Sequence, residues 1–272
     1  MPFPVLVLSG DCSGRCRFGC SVLAGAALQH RPMILLRASL FNLYFYLLTF
    51  VLGLAGIAVR LFARDHALDF ARFWVRLVLA GLRCICGIRV VVLGAENLPR
   101  AGAALVASQH QSAFDTLVWL TLVPRPSYVL KQELTRIPLF GPLLRPAGMI
   151  AVDRAAGAAA LRGLLRETGA ALKAGRQVVI FPEGTRVAAG ERVKLHPGIV
   201  AIATHNRMPI IPVATDSGLR WGRRAFRKRA GVIHIVIGAP IPADTAKADI
   251  LGRIEAGWRD GAQRIPVDKS VE

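Results

Sequence analysis

Val106-Ala107-Ser108-Gln109-His110-Gln111-Ser112-Ala113-Phe114-Asp115 is the stretch on which the reading of this chain turns. The small and β-branched residues at 103–107 predict a buried strand that ends in polar residues. Ser112, with Asp115 three positions on and Leu117-Val118-Trp119-Leu120 behind it, predicts a helix start of the capping-box kind. His110 then falls in a strand-to-helix turn, at the carboxyl edge of a sheet, where open α/β folds place their chemistry.

The interval between His110 and Asp115 constrains how they meet. Residues five apart on one helix point away from each other, because neighbours on a face are three or four apart. The two side chains therefore meet only if His110 precedes the helix and Asp115 lies in its first turn. A carboxylate would then hold one imidazole nitrogen while the other faces a cleft. This is the orienting half of a catalytic triad, without an obvious serine or cysteine nucleophile, so the proton taken belongs to a substrate hydroxyl or a water. Read alone, Asp115 is more often a helix cap than a catalytic partner, and a lone histidine such as His110 more often a structural residue.

Working outward, 272 residues suffice for one α/β domain with an appendage. The 35 Lys+Arg against 17 Asp+Glu give a net charge of +18, which calls for an anionic partner: nucleic acid, acidic lipid or a phosphorylated substrate. The chain is also 53% hydrophobic, with a mean hydropathy of +0.45, and basic and apolar together point first to a membrane surface. Cys12, Cys16, Cys20, Cys84 and Cys86 make an odd set without a secreted framework, consistent with reduced thiols in a cytosolic setting. The x3 spacing of the first three is not a usual zinc or iron–sulfur arrangement, and no metal site is expected.

Residues 1–32 mix Gly, Ser, Cys and Arg with weak periodicity and are expected to be a poorly ordered extension, dispensable if the functional protein begins at Met33. A signal peptide is the rival reading. Residues 33–88 are expected to be membrane-associated helices. Residues 38–59 carry no charge and are long enough to cross the hydrocarbon, whereas residues 70–88 place Phe70, Phe73, Trp74, Leu77, Val78, Leu82 and Ile85 at helical spacing with Arg72, Arg76 and Arg83 between them. A single span followed by an interfacial helix and a two-helix hairpin dipping into one leaflet both fit.

Residues 89–272 read as globular. Strands are expected at 89–94, 103–107, 127–131, 148–154, 177–181, 209–214 and 232–237, and helices from Ser112, at 158–174, at 197–206 and at 247–264. The expected fold is α/β: a mixed, largely parallel sheet flanked by helices, with an N-terminal hydrophobic and amphipathic helical segment that anchors the chain to a membrane.

A second polar motif, Phe181-Pro182-Glu183-Gly184-Thr185-Arg186, follows the buried strand at 177–181 and opens on the same sheet edge as His110. Gly184 permits an unusual backbone angle, Thr185 offers a hydroxyl and an amide, and Arg186 offers a fork of donors matched to phosphate. Glu183 is placed to orient that arginine or a substrate hydroxyl. As plain structure, Arg186 would be a solvated charge and Gly184 an ordinary turn.

Together, His110-x4-Asp115 and Phe181-Pro182-Glu183-Gly184-Thr185-Arg186 resemble the 1-acyl-sn-glycerol-3-phosphate (lysophosphatidic acid) acyltransferase family. Lys131-Gln132-Glu133-Leu134, with Pro138, Gly141, Gly148 and Asp153-Arg154, is similar to its second block, and Met208-Pro209-Ile210-Ile211-Pro212-Val213 to its fourth. Four blocks in order over roughly residues 100 to 215 make a specific signal. The chain departs where many relatives carry Ser and a Lys-Lys-Gly segment: Val187 follows Arg186, and Lys194-Leu195-His196-Pro197-Gly198 stands later. That affects the acceptor's headgroup contacts rather than the reaction.

The resemblance implies acyl transfer from acyl-CoA or acyl carrier protein, as co-substrate, to the sn-2 hydroxyl of lysophosphatidic acid. His110 would be the general base and Asp115 its brace. Arg186, with Gly184 and Thr185, would grip the phosphate, with Glu183 beside them. Lys131 or turn amides would stabilise the oxyanion. No cofactor is implied. The partners would be lysolipid, acyl donor and membrane lipid rather than nucleic acid, at the cytoplasmic face of the inner membrane. A lyso-ornithine lipid or another lysophospholipid is an alternative acceptor, and a non-catalytic basic membrane- or nucleic-acid-binding protein is an alternative of another class. A serine hydrolase would need a Gly-x-Ser-x-Gly elbow, which no strand end supplies. The run at 220–229, six basic residues with Trp221 and Phe226, suits either a nucleic-acid backbone or, in better accord with an apolar N-terminus, a lipid-facing rim.

Overall fold

The computed structural model describes Leu6–Leu8 and residues 26–153 and 157–266. Its centre is a sheet of eight strands: β1 (Leu6–Leu8), β2 (Ile88–Leu93), β3 (Ala104–Ser108), β4 (Pro126–Lys131), β5 (Ile150–Val152), β6 (Gln177–Ile180), β7 (Ile210–Thr215) and β8 (Gly231–Ile237). Their spatial order is β1-β2-β8-β7-β3-β6-β4-β5. Neighbours run parallel except β7 and β8, so the expected mixed, largely parallel α/β sheet is what forms.

Alternation along each central strand divides the core between the two faces. Ala104, Val106, Val179, Ile211 and Val213 point to one side, and Leu105, Ala107, Val178, Ile180 and Ile210 to the other. The first side is covered by α2 (Ala67–Cys86) and α3 (Phe114–Leu122), with Phe41 of α1 (Ala26–Phe62) inserted. The second is covered by α4 (Gly157–Lys173), α5 (Gly198–Asn206) and α6 (Ile250–Gln263). Covering on both faces is why these strands read as continuous apolar runs. Phe114 and Trp119 are fully buried on α3, each stabilising the packing of that helix by about 2–3 kcal/mol, and so fix the turn in front of it.

α1 and α2 form an antiparallel pair. The Tyr44 hydroxyl donates to the Leu77 carbonyl (2.8 Å), and Trp74 Nε1 donates to Thr49 Oγ1 (3.1 Å). Gly81 lies under the Tyr44 ring, close enough that a Cβ there would sit 2.2 Å from it. α1 has two apolar faces. Ala38, Phe41, Phe45, Gly53 and Gly56 lie against α2 and the loop carrying Leu139 and Leu143, whereas Leu36, Leu40, Leu43, Leu47, Phe50, Leu54 and Leu61 are exposed along its length. Its segment Pro32–Phe62 has a hydropathy of 2.0 and is long and apolar enough to cross a membrane.

Two expectations change in detail. The first helix extends to Ala26, before Met33, and Leu6–Leu8 pairs with β2, while the Cys12–Cys16–Cys20 group and Arg154 lie outside the described residues. Among the arginines of α2, Arg72 does not reach toward a headgroup. Its guanidinium turns inward to the carbonyls of Leu120, Val123 and Pro124, at the open C-terminal end of α3. Cys84 and Cys86 are both free thiols.

Candidate active site

β3 and β6 are hydrogen-bonded neighbours in parallel, with Ala107 opposite Ile180, so the segments that follow them leave the same sheet edge side by side. After β3 comes the turn 109–113, then α3 at Phe114. His110 is thus in the turn, and Asp115 in the first helical turn, as the spacing requires. Asp115 is buried, and its Oδ2 accepts from the amides of Gln111 (2.7 Å) and Ser112 (2.7 Å) and faces His110 Nδ1 at 3.2 Å. The carboxylate reaches back across the turn as a capping box would, while Ser112 Oγ accepts instead from the Phe114 amide (3.1 Å). One carboxylate oxygen therefore both folds the turn and holds the imidazole. Nε2 is the nitrogen left for substrate.

The segment after β6 closes on this turn. Glu183 Oε2 accepts from the His110 main-chain N–H at 2.5 Å, and the Val187 amide donates to the His110 carbonyl at 2.8 Å. The Phe181 ring stacks on the His110 imidazole, with centroids 4.3 Å apart and planes 26° apart, and Tyr128 stacks behind Phe181 at 6.4 Å. The imidazole is thus gripped at Nδ1, through its own backbone and across its face. Gly184 has φ +68, which its lack of Cβ permits.

Glu183 does not orient Arg186: its carboxyl is spent on the His110 amide. Burial pushes that carboxyl up to about 8, opposed by the His110 amide and reinforced by the nearby Asp115 charge. At neutral pH it is mostly uncharged, so the charge this loop presents is the guanidinium of Arg186. Turn amides are also a poor source of oxyanion donors, because those of His110, Gln111, Ser112 and Val187 are already engaged. The nearby serine hydroxyls are no free nucleophiles either: Ser108 Oγ donates to the Gln109 carbonyl (3.1 Å), and Ser112 is fully buried.

His110, Lys131, Gly184, Thr185 and Arg186 all line one cavity of about 1120 Å³. Lys131 is exposed at the carboxyl end of β4, two strands from β3. Thr185 is exposed and Arg186 half-buried. Away from these polar groups the walls are apolar: Phe70 and Trp74 of α2, Leu52 and Gly53 of α1, and Leu143 and Met149 behind β4. The cavity is lined mostly by apolar side chains, with Lys131 and Arg186 as its cations. Sequence reading missed this apolar chamber, because its walls come from segments a hundred residues apart. It also missed the Phe181 stack, although Phe181 closes the strand and stands in the quoted motif. Missed too were Gln109 and Gln111, which pin the turn to β7 through the Thr215 amide and carbonyl (3.1 and 2.7 Å).

A carboxylate-braced imidazole thus lines the same cavity as Lys131 and Arg186, with apolar side chains on its other walls, an arrangement suited to an enzyme that acts on a hydroxyl of an amphipathic molecule. Comparison with known proteins shows which enzymes the chain is similar to. The acyltransferase family model matches residues 89–216. The 1-acyl-sn-glycerol-3-phosphate acyltransferase of Pseudomonas aeruginosa is 34% identical over 203 residues, covering 73% of this chain and 79% of that protein. The bovine 1-acyl-sn-glycerol-3-phosphate acyltransferase alpha is 28% identical over 213 residues, 76% of this chain and 74% of the other. In fold, the crystal structure of the 1-acyl-sn-glycerophosphate (LPA) acyltransferase from Thermotoga maritima matches with a TM-score of 0.69 at 22% identity, over 86% of this chain and 99% of that one. The chain belongs to the 1-acyl-sn-glycerol-3-phosphate acyltransferase family, and it is an acyltransferase.

Proposed function

We propose that the protein moves a fatty acyl group from acyl-CoA or acyl carrier protein to the sn-2 hydroxyl of lysophosphatidic acid, giving phosphatidic acid. The observation that carries this reading is that one cavity, otherwise largely apolar, is lined by both the Asp115-braced His110 and the Arg186 cation. His110 Nε2 takes the proton of the acceptor hydroxyl as its oxygen attacks the thioester carbonyl. Asp115 steadies the imidazolium that forms. The tetrahedral intermediate collapses with cleavage of the carbon–sulfur bond, and the imidazolium returns the proton to the departing thiolate. The acyl group goes directly to the acceptor, without an acyl-enzyme. Arg186, with Gly184 and Thr185, receives the acceptor phosphate, so the hydroxyl is held beside the base before the donor arrives. Lys131, exposed at the rim, serves the oxyanion or the donor's phosphate groups.

Membrane attachment at the cytoplasmic face of the inner membrane completes the reading, and the two faces of α1 favour the one-leaflet arrangement over a crossing. From Ala38 to Gly56, about 27 Å of helix, the inner face is packed against α2 and the globular body. A helix crossing the bilayer would drag that body into the hydrocarbon, which is only about 30 Å thick. Lying in the interface, the exposed leucine stripe is buried in acyl chains and the cavity opens at headgroup depth.

The test is purified protein in detergent, with acyl-CoA or acyl carrier protein thioester and a panel of lyso-acceptors, read as thiol release. Turnover is expected with lysophosphatidic acid. Preference for a lyso-ornithine lipid would move the acceptor assignment, and no turnover with any lysolipid would end it.

A further inference from the structure

The run at 220–229 is not used by the reaction, and the structure sorts it. Arg220 and Lys228 turn inward, whereas Arg223, Arg224, Arg227 and Arg229 are exposed, with Phe226 half exposed among them. Arg220 donates to the carbonyls of Val232 and Ala230. Lys228 is buried, and its Nζ stands 5.5, 5.2 and 5.8 Å from the ring centroids of Phe41, Trp221 and Phe226. It also hydrogen-bonds the side chain of Asn42 and the carbonyl of Phe226. Phe41 and Asn42 belong to α1. The basic segment is therefore fastened to the apolar helix by a caged cation, not left as a free loop.

The segment docks at one particular end of the α1–α2 pair. The Gly231 amide donates to the Gly87 carbonyl (3.2 Å), just past α2, and the Cys86 thiol reaches the Arg37 carbonyl (3.9 Å). Exposed Arg37 and Arg83 stand at this same end. The segments that meet here contain no acidic residue between Asp11 and Asp65, between Asp69 and Glu96, or between Asp216 and Asp244. Asp216, the nearest carboxylate along the chain, is taken by the amide (2.6 Å) and Nδ1 (2.8 Å) of His234. The opposite end, at the turn between the helices, mixes Arg60 and Arg64 with Asp65 and Asp69.

We infer that Arg223, Arg224, Arg227 and Arg229, clamped to α1 through Lys228, form with Arg37 and Arg83 a docking rim for anionic lipid headgroups, so that the enzyme selects negatively charged membrane. The occupant is lipid rather than an acidic protein or a nucleic acid, because the segment that carries the exposed arginines is fastened to the same helix that bears the exposed leucine stripe, and exposed Phe226 stands among them. Headgroup charge would be met by the arginines and acyl chain by the helix to which they are clamped. This rests on α1 lying in the leaflet, a placement that binding to uncharged vesicles reports separately.

The experiment is flotation of the full chain with phosphatidylcholine vesicles, and with vesicles containing phosphatidylglycerol, at low and high salt. Arg223→Gln/Arg224→Gln/Arg227→Gln/Arg229→Gln is compared with the unaltered chain. All four side chains are exposed, so the thermal midpoint should hold. The unaltered chain should partition onto the anionic vesicles about a hundredfold better at low salt, with the increment shrinking as salt rises, and the quadruple variant should lose most of that increment while binding phosphatidylcholine equally. An unaltered chain without an anionic increment, or a variant that keeps it, overturns the inference. So does a variant that floats normally but shows a raised KM for the acyl carrier protein thioester alone, which would give the surface to an acidic protein partner.

Discussion

Glu183 Oε2 accepts a hydrogen bond from the main-chain N–H of His110 at 2.5 Å, joining two motifs 73 residues apart. The acidic residue of the second motif thus supports the histidine of the first through its backbone. It does so as a mostly neutral group, since burial holds its carboxyl near 8.

This relationship makes stability depend on pH. The folded chain keeps the Glu183 proton up to about 8, whereas the unfolded chain releases it near the ordinary value of 4.5. Between those values the folded state binds more protons, so its stability falls as pH rises, by at most about 1.4 kcal/mol per unit for one group, and stays lowered above 8. Glu183→Gln, which keeps an acceptor oxygen but cannot ionise, should flatten the decline in thermal midpoint between pH 5 and 9. An equally steep decline in the variant would assign the pH dependence to other groups.

His110→Ala should lower kcat for thiol release by about 10²–10⁴-fold without loss of vesicle binding. Asp115→Ala should do more than slow turnover. It strips the acceptor from the buried amides of Gln111 and Ser112 as well as from the imidazole, at a cost of about 2–4 kcal/mol in stability. Thermal melts separate the two: a Tm loss in the aspartate variant alone is expected, and equal Tm losses would mean that the histidine also holds the turn.

Arg186→Ala should raise KM for a phosphorylated acceptor about 10- to 100-fold and leave the donor's KM nearly unchanged, as expected for a lost charge-assisted contact. Steady-state kinetics with each substrate varied in turn decides this. A shift in the donor constant alone would hand the arginine to the donor's phosphates.

Gly81→Val should loosen the α1–α2 pair, because a Cβ there meets the Tyr44 ring at 2.2 Å. Overpacking of this kind costs about 1–3 kcal/mol. Adding Tyr44→Ala makes room, so the double variant should be more stable than the two single losses summed. Strict additivity in thermal melts would mean the two residues do not press on each other.

Much of this was legible in the sequence because it is local. The strand, turn and helix around His110 follow from residue pattern, and the five-residue spacing to Asp115 forces the geometry that is found. The α/β class follows from strands alternating with helices. What the chain did not disclose depends on tertiary neighbours. Glu183 looks like a partner for Arg186 because they are three residues apart, yet β3 lies beside β6 and offers a closer amide. Arg72 looks like a headgroup ligand until the end of α3 is seen waiting for its guanidinium. The apolar chamber exists only once α1, α2 and the loop before β5 are assembled. No periodicity announces a space.

The adjacency of β3 and β6 has a consequence for how such an enzyme diversifies. After α3 the chain leaves for more than fifty residues, building β4, β5 and much of the chamber wall before returning as β6 to pair with β3. The His110–Asp115 pair and the Glu183 loop follow the two central strands directly, and the excursion hangs outside them. If the proposed chemistry runs at His110, substitutions in the excursion should reshape the apolar wall while that pair keeps its geometry, so selectivity and chemistry would be free to drift on separate schedules.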